Sequence, residues 1–405
     1  MSSSKHREHD FSSKLRQSSV IEGFKKYAGW QRSMRKNGTM HSVPDMAPPS
    51  INLDLTTACN FACPHCVDSA IINTGGYLPL EDVKKSIDTL KSHGLLSVIL
   101  LGGGEPTLYK HFGEVVRYIK DRGLQLGIVT NGSKLERVTE TASLLEKHDW
   151  VRLSLDAATQ GTFDRLHRPK KGAVLENILK EAREIKTVNP DISIGYSFVI
   201  MWEGLSLNGV PLAANIDEMS GAAKLAADYG FDYISFKPCL IRLPDLHKET
   251  LLDSVDREKE QQIIDDVKKG LSDARSAAGD RIKVLESVNL IAMLDHRVHE
   301  MKKQPGTCHM QVFNSVLAPD GIFHCPAFRG VESAKIAQSD GYAGEEKFTE
   351  TLESLRRSIA SFDAEKECDR IACFYNHVNW WMEDFINSDR SVEDLEEAQD
   401  DNFFF

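Results

Sequence analysis

The chain has 405 residues, of which 41% are hydrophobic and 27% charged, and its formal net charge is −11 at pH 7. No uncharged apolar run approaches the roughly 20 residues that span a bilayer, and the first twenty residues lack the apolar segment of a secretory signal. These features predict a globular cytoplasmic protein without a membrane partner. The chain is too long for one hydrophobic core. Its net negative charge argues against a nucleic-acid-binding surface.

Residues 1–47 are predicted to form a polar, basic N-terminal extension. Residues 1–50 together carry a net charge of +5, which leaves −16 for the rest of the chain. Apolar side chains recur there at helical spacing, so we expect one helix. They are Ile21, Phe24, Tyr27 and Ala28.

The next region, residues 48–250, alternates short strand-like runs with longer amphipathic stretches, which predicts an α/β fold with a parallel sheet. Six strands within 186 residues match the roughly 31 residues per unit of an eight-unit barrel. We therefore expect a partial (β/α)6 TIM-like barrel, with an open doubly wound sheet as the alternative; both place chemistry at the carboxyl ends of the strands. The predicted strands are 51–55, 97–101, 124–129, 151–155, 192–200 and 233–236, with helices near 80–93, 111–122, 135–148, 174–188 and 215–229.

Three cysteines follow the first predicted strand in the stretch CNFACPHC. Cys59, Cys63 and Cys66 are separated by three and then two residues, which lets one short loop offer thiolates to three irons of a four-iron cluster. Because the cytoplasm keeps thiols reduced, metal ligation is favoured over disulfides. A zinc site would need a fourth ligand, and His65 is the candidate inside the loop.

The CNFACPHC stretch resembles the CxxxCxxC loop of the radical S-adenosylmethionine (SAM) enzymes, with His65 where that family usually has an aromatic residue. The resemblance covers about residues 48–240. It implies that Cys59, Cys63 and Cys66 hold a 4Fe–4S cluster, and that the amino and carboxylate groups of SAM bind its fourth iron.

Further segments that resemble the family follow in order at the ends of later strands. LLGGGEP resembles the GGE segment, which implies that Gly103, Gly104 and Glu105 bind the methionyl ammonium of SAM. The resemblance also implies that further polar side chains contact the SAM carboxylate or ribose, from the segments VTNGS, LSLDA and FDRLHRPKKG. For the first two segments, the alternative is that these side chains cap the next helix. These additional SAM contacts are Asn131, Ser154, Asp156 and Arg168, with Arg165 as the alternative arginine. The segment ANIDEM also resembles the family, and Asn215 is the predicted N-cap of the helix that it opens.

Four more cysteines lie in residues 307–387, after a charged helical linker at 251–306. Their pattern is C-x16-C-x42-C-x4-C, with a hairpin predicted between the first two and a helix after the last. The cysteine pattern by itself fits a zinc site and an iron–sulfur cluster about equally well. Family members often carry a cysteine-rich module, called SPASM with two auxiliary clusters and twitch with one. The resemblance therefore implies a C-terminal twitch/SPASM-like α+β extension with one auxiliary 4Fe–4S cluster, held by Cys308, Cys325, Cys368 and Cys373.

Cys239 is the remaining cysteine, just after the sixth predicted strand. A lone cysteine is most often a small buried apolar side chain. Its place at the functional edge of the sheet keeps a catalytic interpretation open, in which the thiol returns a hydrogen atom to a substrate radical.

The C-terminal segment, residues 388–405, is acidic, with seven acidic residues before three terminal phenylalanines. We expect a solvated tail whose aromatic end folds back onto its own domain, and a docking peptide is the alternative.

The resemblance also implies the reaction. A flavodoxin- or ferredoxin-like donor would reduce the cluster, SAM would be cleaved to methionine and a 5′-deoxyadenosyl radical, and the radical would remove a hydrogen atom from a substrate. About fifty residues before the barrel are too few for a leader-peptide-binding module, so we expect oxidation or rearrangement of a small hydroxylated metabolite such as a sugar or aminocyclitol. Peptide modification is the alternative enzyme function. The alternative of another class is a non-enzymatic binding module that is stabilised by zinc.

Overall fold

The computed structural model describes residues 10–38, 43–207, 209–243, 248–251 and 257–399. Within them, one ten-stranded sheet has the order β11-β8-β5-β4-β3-β2-β1-β12-β13-β14, and β6-β7 and β9-β10 form small hairpins. The strands are β1 Ser50–Leu53, β2 Ser97–Leu100, β3 Gln125–Thr130, β4 Trp150–Ser154, β5 Ser193–Ile200, β6 Ser206–Leu207, β7 Val210–Pro211, β8 Tyr233–Pro238, β9 Ile241–Leu243, β10 Lys248–Thr250, β11 Lys283–Glu286, β12 Asn314–Ala318, β13 Gly321–Phe323 and β14 Lys335–Ala337.

Helices accompany the strands along the chain and continue through the C-terminal region. They are α1 Phe11–Lys14, α2 Ile21–Asn37, α3 Leu80–Ser92, α4 Phe112–Asp121, α5 Glu136–Thr139, α6 Gln160–His167, α7 Leu175–Val188, α8 Met219–Asp228, α9 Arg257–Ala278, α10 Val288–Leu294, α11 Val298–Met301, α12 Glu345–Ser361, α13 Ala364–Glu367 and α14 Asn376–Asn387.

All six predicted strands are present, as β1 to β5 and β8, and their pairings in the sheet are parallel. The predicted α/β partial barrel is therefore confirmed. The sheet is longer than the six-strand prediction, because β11 pairs in parallel with β8 and β12 pairs in parallel with β1. Since the two edge strands of this sheet do not pair with each other, the barrel stays open.

Burial of apolar side chains, on one face of the helices and on both faces of the strands, explains why these segments adopt this fold. Helix α4 buries Phe112, Val115, Val116 and Ile119, which recur at helical spacing and form one apolar face. Strand residues such as Ile51, Val98 and Ile128 are completely buried, as expected for parallel strands covered by helices.

The predicted C-terminal hairpin is confirmed. Strands β12 and β13 pair antiparallel, with Ala318 opposite Gly321 across the turn. What the sequence pattern did not predict is that β12 also pairs with β1, from Ser50 opposite Asn314 to Leu53 opposite Leu317. Backbone hydrogen bonds thus join the second cysteine region directly to the strand that precedes the first.

The N-terminal helix α2 packs against the C-terminal helix α14. The ring centroid of Phe24 lies 5.0 Å from that of Trp381, and Arg32 donates hydrogen bonds to the backbone oxygens of Phe385 and Ile386. In the acidic segment, Leu395 is buried, so this part of the segment packs against the protein; the predicted folding back of the aromatic end stays a prediction. Its three terminal phenylalanines lie outside the described residues.

In the part of the chain that the structure describes, no helix has both the length and the apolar character needed to cross a membrane.

Candidate active site

The cysteine loop lies beyond the carboxyl end of β1 and is held there by a segment at the end of α6. Lys170 Nζ donates a hydrogen bond to the backbone oxygen of Cys59 at 2.9 Å, and the backbone N–H of Ala62 donates to the oxygen of His167 at 3.1 Å. The backbone N–H of Cys59 donates to Asn73 Oδ1 at 3.0 Å. The loop is therefore fixed on both sides by protein contacts.

The three thiols form a set that favours a bound cation. Burial raises the pKa of each, to about 12 for Cys66. Cys63 lies close enough to Cys59 and Cys66 that their negative charges raise its pKa further. Because thiolates gathered in a buried place repel one another, iron that binds them would offset this cost. The donor set thus fits an iron–sulfur cluster.

A buried His–Asp–His cluster lies beside this loop. His65 Nε2 is 3.2 Å from Asp156 Oδ2, and His167 Nε2 is 3.5 Å from the same oxygen. His167 Nε2 is also 2.9 Å from the backbone oxygen of Leu155, which only accepts, so we assign the proton to Nε2. The opposite nitrogen, Nδ1, lies 3.3 Å from Cys63 Sγ.

Burial and neighbouring charges shift the pKa values of two members of this cluster, His167 and Asp156. Burial lowers the pKa of His167 to about 4, although the charge of Asp156 acts in the other direction. For Asp156, burial acts to raise the pKa, but the hydrogen bond with His65 and the positive charges of the two histidines hold it below the usual range. Asp156 is thus an ionised anchor that orients His65, the residue directly before Cys66.

The GGE segment forms a tight turn against the cysteine loop. Gly103 has φ +63, and a Cβ on Gly104 would lie 2.5 Å from the backbone oxygens of Thr56 and Ala58. Only glycine allows this close approach of the turn to the start of the cysteine loop.

Glu105 ends the turn with its carboxylate turned inward. It accepts hydrogen bonds from Thr107 N and Oγ1, from Thr130 Oγ1 at 2.7 Å and from Asn131 N at 2.8 Å. Burial raises the pKa of Glu105, while these donors act to lower it. Four internal donors make this carboxylate a fixed part of the loop, and its predicted contact with the SAM ammonium stays a prediction.

The other predicted SAM contacts lie around the same strand ends. Asn131 Nδ2 donates to Asn60 Oδ1 at 3.1 Å and so ties the third strand end to the cysteine loop; α5 begins at Glu136, so Asn131 is not its N-cap. Ser154 is half-buried, and Arg168 is exposed with φ +45 directly after α6. Their contacts with SAM stay predictions.

Asn215 lies at the predicted N-cap position, before the 3-10 helix Ile216–Glu218 that leads into α8, but its side chain makes no capping hydrogen bond. Its side chain accepts from Met201 N at 2.7 Å and donates to the backbone oxygens of Asp156 and Val199. Because Asn215 is completely buried, it joins the ends of β4 and β5 behind the His–Asp–His cluster.

Cys239 is 1% exposed and belongs to the hydrophobic core. Burial raises the pKa of its thiol to about 12, with a smaller contribution from the charge of Asp156. The burial fits the small apolar interpretation, and the hydrogen-donor role stays a prediction.

An arginine from the C-terminal region reaches the first cysteine loop. Arg329 Nε forms an ion pair with Asp54 Oδ2 at 2.7 Å, and its Nη1 lies 3.0 Å from Asp68 Oδ1. Asp68 is two residues beyond Cys66, and its Oδ2 accepts a hydrogen bond from the backbone N–H of Gly103 at 3.2 Å. One buried guanidinium thereby contacts both the cysteine loop and the strand that precedes it.

The four C-terminal cysteines line one cavity. Burial raises the pKa of Cys373 well above its usual value, and the nearby charges of Cys325 and Cys308 raise it further. Other polar residues that line this cavity are Gln304, Asn314, His324, Tyr375 and Asn379. The structure therefore brings all four predicted ligands of the second site together.

Residues 53–205 match the family model described as the Radical SAM superfamily. The chain contains a radical SAM domain. A domain of this family binds a 4Fe–4S cluster and SAM, and the cysteine loop and glycine turn of this chain lie within the matched residues.

Two curated relatives are similar over parts of this chain. An S-adenosylmethionine-dependent nucleotide dehydratase from Selenomonas ruminantium is 34% identical over 154 residues, which are 37% of this chain and 56% of that protein. Mycofactocin maturase MftC from Mycobacterium tuberculosis is 35% identical over 122 residues, 30% of each protein. This chain thus covers less than two thirds of either relative.

Among solved structures, Streptococcus suis SuiB bound to its precursor peptide SuiA matches with a TM-score of 0.56 and 14% sequence identity. The match covers 82% of this chain and 69% of SuiB. At this identity, the comparison shows a common fold that extends beyond the radical SAM domain.

Sequence reasoning missed several residues that surround the cysteine loop. His167 and Lys170 lie in the FDRLHRPKKG stretch, from which only the arginines were selected. Arg329 and Asp68 gave no sequence signal of their own, because they are 261 residues apart and meet only in the folded chain.

Proposed function

We propose that this protein is a radical SAM enzyme in which Cys59, Cys63 and Cys66 hold the 4Fe–4S cluster that cleaves SAM. When bound and reduced, these cofactors supply a 5′-deoxyadenosyl radical that removes a hydrogen atom from a substrate. The observation that carries the proposal is the gathering of three half-buried thiols in a loop whose start packs against the glycine turn, within residues that match the radical SAM family.

The protein residues around the cluster position and shield these cofactors. Gly103 and Gly104 bring the backbone close to the cysteine loop, and Glu105 fixes their turn through four hydrogen bonds. The set proposed to contact SAM is Gly103, Gly104, Glu105, Asn131, Ser154, Asp156 and Arg168. Of these side chains, Asn131 and Ser154 are half-buried and Arg168 is exposed, while the buried Glu105 and Asp156 also hold the loops through their hydrogen bonds.

We also propose that Cys308, Cys325, Cys368 and Cys373 hold one auxiliary 4Fe–4S cluster. Four sulfurs around a tetrahedral zinc ion, each at 2.3 Å, would lie about 3.8 Å apart. Among the described residues, the group whose ligand atoms all lie within 4.8 Å of one another is Cys63, His65 and His167, and the four cysteines do not form such a group. Their arrangement around one cavity supports a larger cluster rather than a single zinc ion.

We propose a small hydroxylated molecule as the substrate, which is oxidised or rearranged. The relative named as a nucleotide dehydratase supports a small-molecule substrate in this type of barrel. The names of MftC and of the SuiB complex with SuiA support a second candidate function, the modification of a peptide. In either reaction, we propose a flavodoxin- or ferredoxin-like electron donor.

Iron analysis and SAM cleavage test the proposal on anaerobically reconstituted protein. We expect about eight irons per chain, as two four-iron clusters require, and formation of 5′-deoxyadenosine from SAM with dithionite. Cys59→Ala, Cys63→Ala and Cys66→Ala should each abolish the nucleoside, whereas Ser69→Ala, an exposed position in the same loop, should not. Nucleoside formation at the wild-type rate in the three cysteine variants would contradict the proposal, as would zinc without sulfide.

The same assay separates the two substrate classes. A true substrate should accelerate 5′-deoxyadenosine formation, so nucleotides, sugars and aminocyclitols are compared with short peptides encoded near the gene. Acceleration by a peptide alone would favour the second candidate function.

A further inference from the structure

The cavity lined by the four C-terminal cysteines also contains His324, the residue directly before Cys325. The side chain is almost completely buried, with 2% of the residue exposed. Neither Nδ1 nor Nε2 has a hydrogen-bond partner among the described residues. An unpaired buried polar group is unfavourable, so an imidazole with two such atoms requires a partner in the assembled site.

Aromatic packing holds the ring of His324 in this place. Its centroid lies 4.8 Å from that of Phe362, edge to face, and 6.1 Å from that of Phe328. The backbone N–H of His324 donates to the oxygen of Ala334 at 3.2 Å, which fixes the chain at the end of β13. The ring therefore has little freedom to turn towards solvent.

The chemistry of the cavity defines the partner. Neutral imidazole has one N–H donor and one acceptor nitrogen. The cavity is lined by apolar side chains, by the amide and hydroxyl groups of Gln304, Asn314, Tyr375 and Asn379, and by the four cysteines, whose sulfurs accept hydrogen bonds once they are thiolates. One such contact is already present, because Asn379 Nδ2 donates to Cys308 Sγ at 3.7 Å.

We propose that His324 donates an N–H···S hydrogen bond to the auxiliary cluster and thereby raises its reduction potential. This inference rests on the proposed auxiliary cluster. Reduction adds negative charge to the cluster and its sulfurs, so a fixed N–H dipole stabilises the reduced form more than the oxidised form. His324 is thus a positioning residue for electron transfer, not a ligand.

The test removes the N–H donor while keeping the shape of the ring. The Cys59→Ala/Cys63→Ala/Cys66→Ala full-length variant leaves the auxiliary cluster as the single four-iron centre, so its signals are unambiguous. In this background, His324→Phe should lower the midpoint potential in an EPR-monitored titration, while His324→Gln, which keeps an N–H donor, should restore part of the shift. His299→Phe makes the same change at an exposed position and should leave the potential unchanged.

Hyperfine spectroscopy gives a second readout that does not depend on a substitution at His324. The reduced background variant, with histidine labelled by 15N, should show weak nitrogen coupling and an exchangeable proton coupling. Absence of both, or strong coupling typical of direct ligation, would overturn the inference.

The outcomes separate this inference from the proposal on which it rests. About four irons per chain with no change of potential in His324→Phe would overturn the hydrogen bond alone. No bound iron in the background variant would overturn the auxiliary cluster and the hydrogen bond together. If His324→Phe loses iron, the midpoint potential of His324→Gln and the 15N spectrum still show whether His324 donates a hydrogen bond to the cluster.

Discussion

Arg329 Nε lies 2.7 Å from Asp54 Oδ2, and the two side chains are 5% and 0% exposed. Asp54 directly follows β1, while Arg329 follows Cys325 by four residues. The same guanidinium reaches Asp68, just beyond Cys66, and a Cβ on Gly102 would lie 2.8 Å from it. This contact joins the two cysteine sites through one buried charge cluster.

Arg329→Met should strongly destabilise the protein. Burial acts to raise the pKa of Asp54, and the Arg329 guanidinium 2.7 Å away opposes this rise and favours the charged carboxylate. Removing one member of a buried ion pair typically costs about 3–5 kcal/mol. We expect this loss in chemical unfolding followed by circular dichroism, and Asp54→Asn/Arg329→Met should recover much of it.

Arg281→Met is the matched control, because Arg281 pairs with Asp228 at an exposed position. It should leave unfolding almost unchanged. Equal losses in the two arginine variants would show that the buried cluster has no special importance.

Glu105→Gln should loosen the glycine turn. An amide cannot accept all four hydrogen bonds that the Glu105 carboxylate accepts, because its nitrogen only donates. We expect a loss of about 1–3 kcal/mol for the unpaired buried donors and weaker SAM binding in equilibrium dialysis. Glu136→Gln changes an exposed glutamate on α5 in the same way, and wild-type SAM affinity in both variants would contradict this role.

His65→Phe should separate cluster assembly from SAM binding. Phenylalanine restores the aromatic residue usual at this position in the family but removes the partner of the buried Asp156 carboxylate at 3.2 Å. We expect iron content like that of the wild type and a smaller change in the EPR spectrum of the reduced cluster when SAM is added. His65→Phe/Asp156→Asn should restore part of that change, and a full response to SAM in His65→Phe alone would argue against the pair.

Asn215→Ala should destabilise the strand ends behind the site. The substitution leaves Met201 N and the oxygens of Asp156 and Val199 without their partner in a completely buried position. A loss of about 2–3 kcal/mol in the free energy of unfolding is expected from the cost of unpaired buried groups. The control is Asn177→Ala, on the exposed face of α7, and a similar small effect of both changes would show that the buried hydrogen bonds of Asn215 contribute little to stability.

Much of the barrel could be predicted because its signals are local. Short apolar runs that alternate with longer amphipathic stretches predicted the six strands, and the spacing of Cys59, Cys63 and Cys66 predicted the first site. Both signals depend on residues that are neighbours in sequence. The pairing of β12 with β1 was not predictable, because nothing in either short strand specifies a partner more than 260 residues away. The same limit applies to His167, whose contact with Cys63 is set by the end of α6.

The sequence by itself determined that the chain has an α/β barrel with a three-cysteine loop and a separate group of four cysteines, because spacing and periodicity are written along the chain. Only the tertiary structure decided that the two cysteine regions share one sheet and one buried charge cluster, and that Asn215 and Asp156 act as supports. Those relationships depend on which side chains are excluded from water together, and burial is a property of the folded chain.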